Sequence, residues 1–182
     1  MAKIKVENVV ATASIATDLD LRKIASSLEG AEYEQKRFPG VIYRVKEPVT
    51  AVLIFRSGKL VCTGAKSIED VHIVITNVTK KIKALGFQVN PNPEIIIQNI
   101  VATSDVGSIL NLNNIAMTLS LERVEYEPEQ FPGLVYRMDD PHVVMLLFGS
   151  GKIVCTGANN PKDAERAVDK ITEELAAANL LR

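Results

Sequence analysis

The chain has no apolar run long enough to cross a membrane and no amino-terminal signal peptide, so a soluble protein that is not exported is expected. Cysteine is scarce. Cys62 and Cys155 are the only two, each inside an apolar segment, and neither has a second Cys or a His near enough in sequence for a zinc signature. They read as core filler. His72 and His142 are far apart and unrelated in context, and Asp139-Asp140 beside Pro141 reads as a solvated turn. Gly149-Ser150-Gly151-Lys152 hints at a phosphate loop, but Ile153 follows the lysine and the leading glycine is missing. No catalytic residue, metal or cofactor is therefore expected. A charge excess is lacking too: the net charge is −1, which by itself does not mark a nucleic-acid partner.

What the chain does have is a second copy of itself. Phe38-Pro39-Gly40, Tyr43-Arg44, Phe55, Ser57-Gly58-Lys59 and Val61-Cys62-Thr63-Gly64-Ala65 return at a constant offset of 93. They reappear as Phe131-Pro132-Gly133, Tyr136-Arg137, Phe148, Ser150-Gly151-Lys152 and Val154-Cys155-Thr156-Gly157-Ala158. Upstream, Asn8, Thr12, Ile24 and Leu28 match Asn99, Thr103, Ile115 and Leu119 at an offset of 91, with two extra residues between Leu119 and Tyr126. A duplication of this kind implies a pseudo-twofold object. The charges divide unevenly: residues 1–90 hold 14 Lys+Arg against 9 Asp+Glu, net +5, and residues 91–182 hold 7 against 13, net −6.

Each half carries the same order of elements. A strand over 4–12 is followed by a helix near 18–28, then strands at about 31–37, 41–47, 50–56 and 59–64, with turns at Pro39-Gly40, Glu47-Pro48 and Ser57-Gly58. Ile68, Val71, Ile75, Val78, Ile82 and Leu85 alternate steps of three and four, which predicts a long helix over 67–85, ended by Gly86. Ala164, Val168, Ile171, Leu175 and Ala178 repeat that stripe behind an Asn160-Pro161 cap. The Asn90-Pro91-Asn92-Pro93 linker is short, so the repeats 1–90 and 94–182 are expected to form one fused body. The class is α+β, with ten strands and four helices.

Four helices cover only one face of such a sheet, and a one-sided antiparallel sheet should alternate apolar with polar. Thr50–Phe55 and Val143–Phe148 are apolar on both parities instead. The uncovered face thus carries Val, Leu, Phe, Asn and Thr, interrupted by Arg44 and Arg137, and a surface of that kind calls for a partner. A second copy of the chain would have to pair the arginines, and a broad sheet offers a small molecule no closed pocket. Duplex DNA, with its own approximate twofold axis, fits the duplication best.

The strings Val9-Val10-Ala11-Thr12, Lys36-Arg37-Phe38, Thr63-Gly64-Ala65-Lys66, Gln98-Asn99-Ile100-Val101 and Tyr126-Glu127-Pro128-Glu129-Gln130-Phe131-Pro132-Gly133 resemble the TATA-box-binding protein family, in its archaeal form, over essentially the whole chain. The resemblance implies a saddle: one curved ten-stranded antiparallel sheet with four helices on its convex face. It implies a general transcription initiation factor that binds and bends A·T-rich promoter DNA through the minor groove. Phe38, Phe55, Phe131 and Phe148 match the family's wedges. Asn8 and Asn99 match its central hydrogen-bonding pair, and Thr63 and Thr156 the flanking hydroxyls. Val10, Leu53, Val61, Val101, Leu146 and Val154 match the apolar floor. Arg44, Ser57, Lys59, Arg137, Ser150 and Lys152 match phosphate contacts.

Glu127 and Glu129 match the family's docking loop for a TFIIB-type factor, through which RNA polymerase is recruited, and Gln130 replaces a usual leucine there. Gly149 stands where the first repeat has Arg56, which makes phosphate contacts unequal. The helix over 67–85 is less basic than in eukaryotic relatives, so a TFIIA-like partner is not implied. The resemblance implies a cytoplasmic, nucleoid-associated location in an archaeon, and a nuclear one in a eukaryote. A homodimer is a further possible state away from DNA. The rivals are a non-catalytic protein whose sheet is buried in a stable homodimer, and a DNA-repair accessory domain of similar fold.

Overall fold

Side-chain caps and turn residues set the element boundaries. The computed structural model describes residues 2–181. Its first repeat runs β1 (Lys5–Ser14), α1 (Leu21–Ser27), β2 (Ala31–Glu32), β3 (Val41–Lys46), β4 (Val49–Ile54), β5 (Lys59–Ala65) and α2 (Ile68–Ala84). The second runs β6 (Ile95–Asp105), α3 (Leu112–Thr118), β7 (Val124–Glu125), β8 (Leu134–Met138), β9 (Val143–Leu147), β10 (Lys152–Ala158) and α4 (Pro161–Ala177). Asp20, Ser67, Asn111 and Asn160 cap the four helices, each side chain accepting a hydrogen bond from the amide three residues on. Pro161 opens α4 without wasting a donor.

The strands are hydrogen-bonded in the order β2-β3-β4-β5-β1-β6-β10-β9-β8-β7, a single ten-stranded sheet. By contact, the chain forms two compact units. One is Asn8–Gln98, called here the first unit; the second unit consists of the residues before Asn8 together with those from Asn99 onward. Their boundaries fall inside β1 and β6, away from the 90–93 linker. Within the second unit, Ser104 Oγ donates to the Lys3 carbonyl at 2.7 Å and Thr103 Oγ1 to Glu7 Oε1 at 3.2 Å. Within the first, Gln98 Nε2 donates to Thr12 Oγ1 at 2.9 Å.

The helical stripes are where their periodicity puts them. Val71, Val74, Ile75, Val78 and Ile82 of α2 are buried, as are Ala164, Ala167, Val168, Ile171 and Leu175 of α4. Beneath them lies one parity of each strand, including Val52, Ile54, Leu60 and Cys62 in the first unit and Met145, Leu147, Ile153 and Cys155 in the second. The cysteines are core filler in fact: burial pushes both thiols up to about 11, so neither is a thiolate at neutral pH.

Two expected elements are shorter than the sequence suggests. The strand expected over 31–37 ends at Glu32, because the Glu34 carbonyl accepts from the amides of both Arg37 and Phe38 (2.9 and 3.0 Å) and closes a turn. The helix expected from residue 18 starts at Leu21, because the Leu19 amide is taken by the Arg56 carbonyl at 2.9 Å and Asp20 serves as the cap. Among the described residues no helix is long and apolar enough to cross a membrane, and no group of three or more His, Cys, Asp or Glu could hold a metal ion.

Candidate nucleic-acid interface

The other parity of every strand has no helix over it. In the first unit, hydrogen-bonded register aligns Ile42, Leu53, Val61 and Thr12 in one row across β3, β4, β5 and β1. Arg44, Ala51 and Thr63 form the next row. The second unit repeats both: Val135, Leu146, Val154 and Thr103 in one row, Arg137, Val144, Thr156 and Val101 in the other. The apolar members of these rows are all half-buried, whereas their strand neighbours on the helix side are buried. The alternation missing from the sequence is therefore present in the exposure. Ile42, Ala51, Val135 and Val144 belong to this floor although the family motif did not point to them.

Asn8 in the first unit and Asn99 in the second sit beside a bulge in their neighbouring strand. Register slips in the β1–β5 pairing between Val9 and Ala11, and in the β10–β6 pairing between Thr156 and Ala158. Each slip accompanies a glycine with left-handed backbone, Gly64 (φ +93°) and Gly157 (φ +105°). Only glycine adopts this conformation without strain. The Gly64 amide donates to Asn8 Oδ1 at 2.6 Å, and the Gly157 amide to Asn99 Oδ1 at 2.6 Å. The amide oxygens are thereby committed as acceptors, and the nitrogens must be the groups left to donate. Asn99 Nδ2 spends one hydrogen on Thr156 Oγ1 at 3.1 Å and keeps the other. Sequence reasoning missed both glycines as functional residues; the Thr-Gly-Ala string was the available signal.

The phenylalanines pair within each unit. Phe38 and Phe55 have ring centroids 5.7 Å apart at 60°, and Phe131 and Phe148 lie 6.0 Å apart, edge to face at 67°. Phe131 is 41% exposed, and the other three are half-buried. A glycine makes room for each pair. A Cβ on Gly133 would come within 2.7 Å of Phe131 and 3.0 Å of Phe148; one on Gly40 would come within 3.0 Å of Phe38 and of the Ile54 carbonyl oxygen. The Phe-Pro-Gly turn thus both ends the chain reversal and seats two rings.

Polar groups border the floor. Ser57, Lys59, Ser150 and Lys152 lie exposed in the β4–β5 and β9–β10 hairpins. Both floor arginines carry a carboxylate partner from the short edge strand: Arg44 with Glu32 at 3.2 Å and Arg137 with Glu125 at 3.5 Å. These pairs are open to water and therefore weak, so a competing phosphate can displace the glutamate. Glu127, Glu129 and Gln130 form an exposed turn in the second unit, with the Glu127 carbonyl accepting from the amides of Gln130 and Phe131.

On the helix side the copies diverge in charge. Lys81 Nζ donates to the Tyr43 hydroxyl at 2.7 Å, where the counterpart Tyr136 donates to Glu174 Oε2 at 2.8 Å. Burial and that carboxylate push the Tyr136 hydroxyl up to about 12.

Comparison with known proteins gives this geometry a family. The family model described as "Transcription factor TFIID (or TATA-binding protein, TBP)" matches residues 3–85 and again 94–178. The TATA-box-binding protein of Thermoplasma acidophilum is 59% identical over 179 residues, covering 98% of this chain and 97% of that protein. TATA-box-binding protein E of Halobacterium salinarum is 58% identical over 178 residues, covering 98% and 96%. The solved structure of Methanococcus jannaschii TBP superposes with a TM-score of 0.88 at 52% identity, over 96% of this chain and 99% of that one. Matched twice along its length and in three dimensions, the chain belongs to the TATA-box-binding protein family.

Proposed function

We propose that this protein is a general transcription initiation factor that binds A·T-rich promoter DNA through the minor groove and bends it. The observation that carries this reading is the pair of asparagines whose amide oxygens are tied to bulge glycines, each at one end of an apolar floor whose other end carries a Phe pair. A·T pairs present only acceptors in the minor groove, which suits side chains that have only N–H left to offer. G·C pairs add the guanine amino group, which an apolar floor leaves without a hydrogen-bond partner at a cost of about 1–3 kcal/mol.

Each Phe pair acts as a wedge at a base step. Fully burying a phenylalanine stabilises by about 1.5–3 kcal/mol, and rings already half-buried gain roughly half of that. Four rings then contribute on the order of 3–6 kcal/mol. Unstacking costs a few kcal/mol per step in minor-groove wedge proteins, of which this family is itself a standard case. The terms nearly cancel, so binding favours pyrimidine–purine steps, which kink most easily. Arg44, Arg137, Lys59, Lys152, Ser57 and Ser150 hold phosphates and fix the register without reading sequence.

Titration of a TA-containing A·T-rich duplex, with fluorophores at its two ends, tests this reading. Saturable binding with a rise in energy transfer is expected, against weak binding without bending for a G·C-rich control. Equal affinity for the two duplexes, or binding without bending, would overturn it. Away from DNA, a second copy of the chain is the natural cover for the floor.

The bound factor nucleates assembly by presenting Glu127, Glu129 and Gln130 to a TFIIB-type factor, which brings RNA polymerase. All three side chains are exposed and clear of the floor rows. Glu127→Arg is expected to leave the protein able to bind DNA and, on DNA saturated with the variant, to weaken capture of the TFIIB-type factor by tenfold or more, since like charge across an interface costs several kcal/mol. Unchanged capture in a gel-shift assay would remove this loop from the interface.

A further inference from the structure

The two wedges are built alike but flanked differently. In the first unit Lys36 and Arg37 precede Phe38, and Arg56 follows Phe55. Arg37 and Arg56 are more than four-fifths exposed and are held by Glu34 at 3.2 Å and Asp18 at 3.3 Å. At the corresponding places the second unit has Glu129, Gln130 and Gly149, and Ile109 stands in for Asp18, 80% exposed. Counting the carboxylates, the first flank is net +1 and the second, with Glu127, net −2.

Resting on the minor-groove reading, we propose that the two wedges grip DNA unequally: Lys36, Arg37 and Arg56 clamp additional phosphates beside the Phe38/Phe55 kink, while the Phe131/Phe148 wedge lacks these three contacts and has only those common to both units. An exposed ion pair between mobile side chains is weak, so an incoming phosphate takes the arginines from Asp18 and Glu34 at little cost. At the three corresponding places the second flank has no cation to offer, and its carboxylates repel the backbone. Ring insertion is indifferent to ionic strength, whereas each phosphate contact releases counterions and steepens the salt dependence by about 0.9 in log K against log salt. The salt sensitivity of the complex therefore belongs mainly to the first unit.

The test is a salt series on the TA-containing A·T-rich duplex. Lys36→Gln/Arg37→Gln/Arg56→Gln is expected to flatten the slope by about 2–3, and Arg56→Gln alone by about 0.9. Gly149→Arg is expected to steepen it by a similar single step. That substitution fits sterically, since a Cβ there meets the Leu110 carbonyl oxygen only at 3.7 Å, an ordinary contact. An unchanged slope in the triple variant, or in both single variants, would overturn the unequal grip. If instead the wild type shows a steep slope but no preference for A·T over G·C, the minor-groove reading fails and this inference with it.

Discussion

Phe131→Ala is expected to weaken binding to a TA-containing duplex by roughly 4–13-fold and to remove one of two kinks, while the fold survives. The ring is 41% exposed and meets Phe148 edge to face. Removing a fully buried Phe costs about 3–5 kcal/mol; with two-fifths of this ring in water the loss to folding is smaller, on the order of 1–2 kcal/mol. In the complex the ring would complete its burial between bases, so the variant forfeits about 0.8–1.5 kcal/mol of binding as well. End-to-end energy transfer should drop part-way toward that of straight DNA, with a melting temperature only a few degrees below wild type. Undiminished transfer would refute the wedge role, and a collapsed melting transition would show that the ring is structural.

Asn99→Asp should be more damaging to binding and gentler on the fold. The aspartate is nearly isosteric and its oxygen can still accept from the Gly157 amide, now at 2.6 Å from Asn99 Oδ1. The other terminus changes from a donor to an anion. It would then face groove acceptors and leave its own charge unpaired, at a cost of about 3–5 kcal/mol, or 100-fold and more in affinity. Asn8→Asp, tied to Gly64 in the same way, should behave alike. The expected pattern is therefore a large loss of DNA affinity with near-wild-type thermal unfolding. A variant that binds within a few-fold of wild type would mean that the amide nitrogen does not face the DNA. Asn99→Ala separates the two roles, because it also orphans the Gly157 amide and should lower stability.

These effects rest on details that the sequence carried to different degrees. The apolar run Val143–Phe148 revealed an uncovered face, because a strand with a helix on only one side has no need of Leu146 or Val144 on the other. The stripes of α2 and α4 were legible for the same reason of period. The bulges at Gly64 and Gly157 were not, since a bulge is a property of register between two strands and leaves no period in either one. The role of Gly40 and Gly133 was hidden behind their evident use in a turn; only the ring positions reveal that a methyl group would collide with them. The pairing of Arg44 with Glu32, and of Arg137 with Glu125, depends on two-residue edge strands too short to announce themselves. The excess length expected for the strand after residue 31 had a local cause, the turn closed on the Glu34 carbonyl.

If an apolar floor with amide donors reads the minor groove, a base analogue that changes only that groove isolates the reading. Inosine·C keeps the major-groove O6 and N7 acceptors of G·C but lacks the guanine amino group in the minor groove. Replacing the A·T pairs of a bound site by I·C should leave affinity within a few-fold of the A·T duplex, whereas G·C at the same positions should abolish specific binding. An I·C duplex bound as poorly as its G·C counterpart would contradict the account, for the reading would then lie in the other groove.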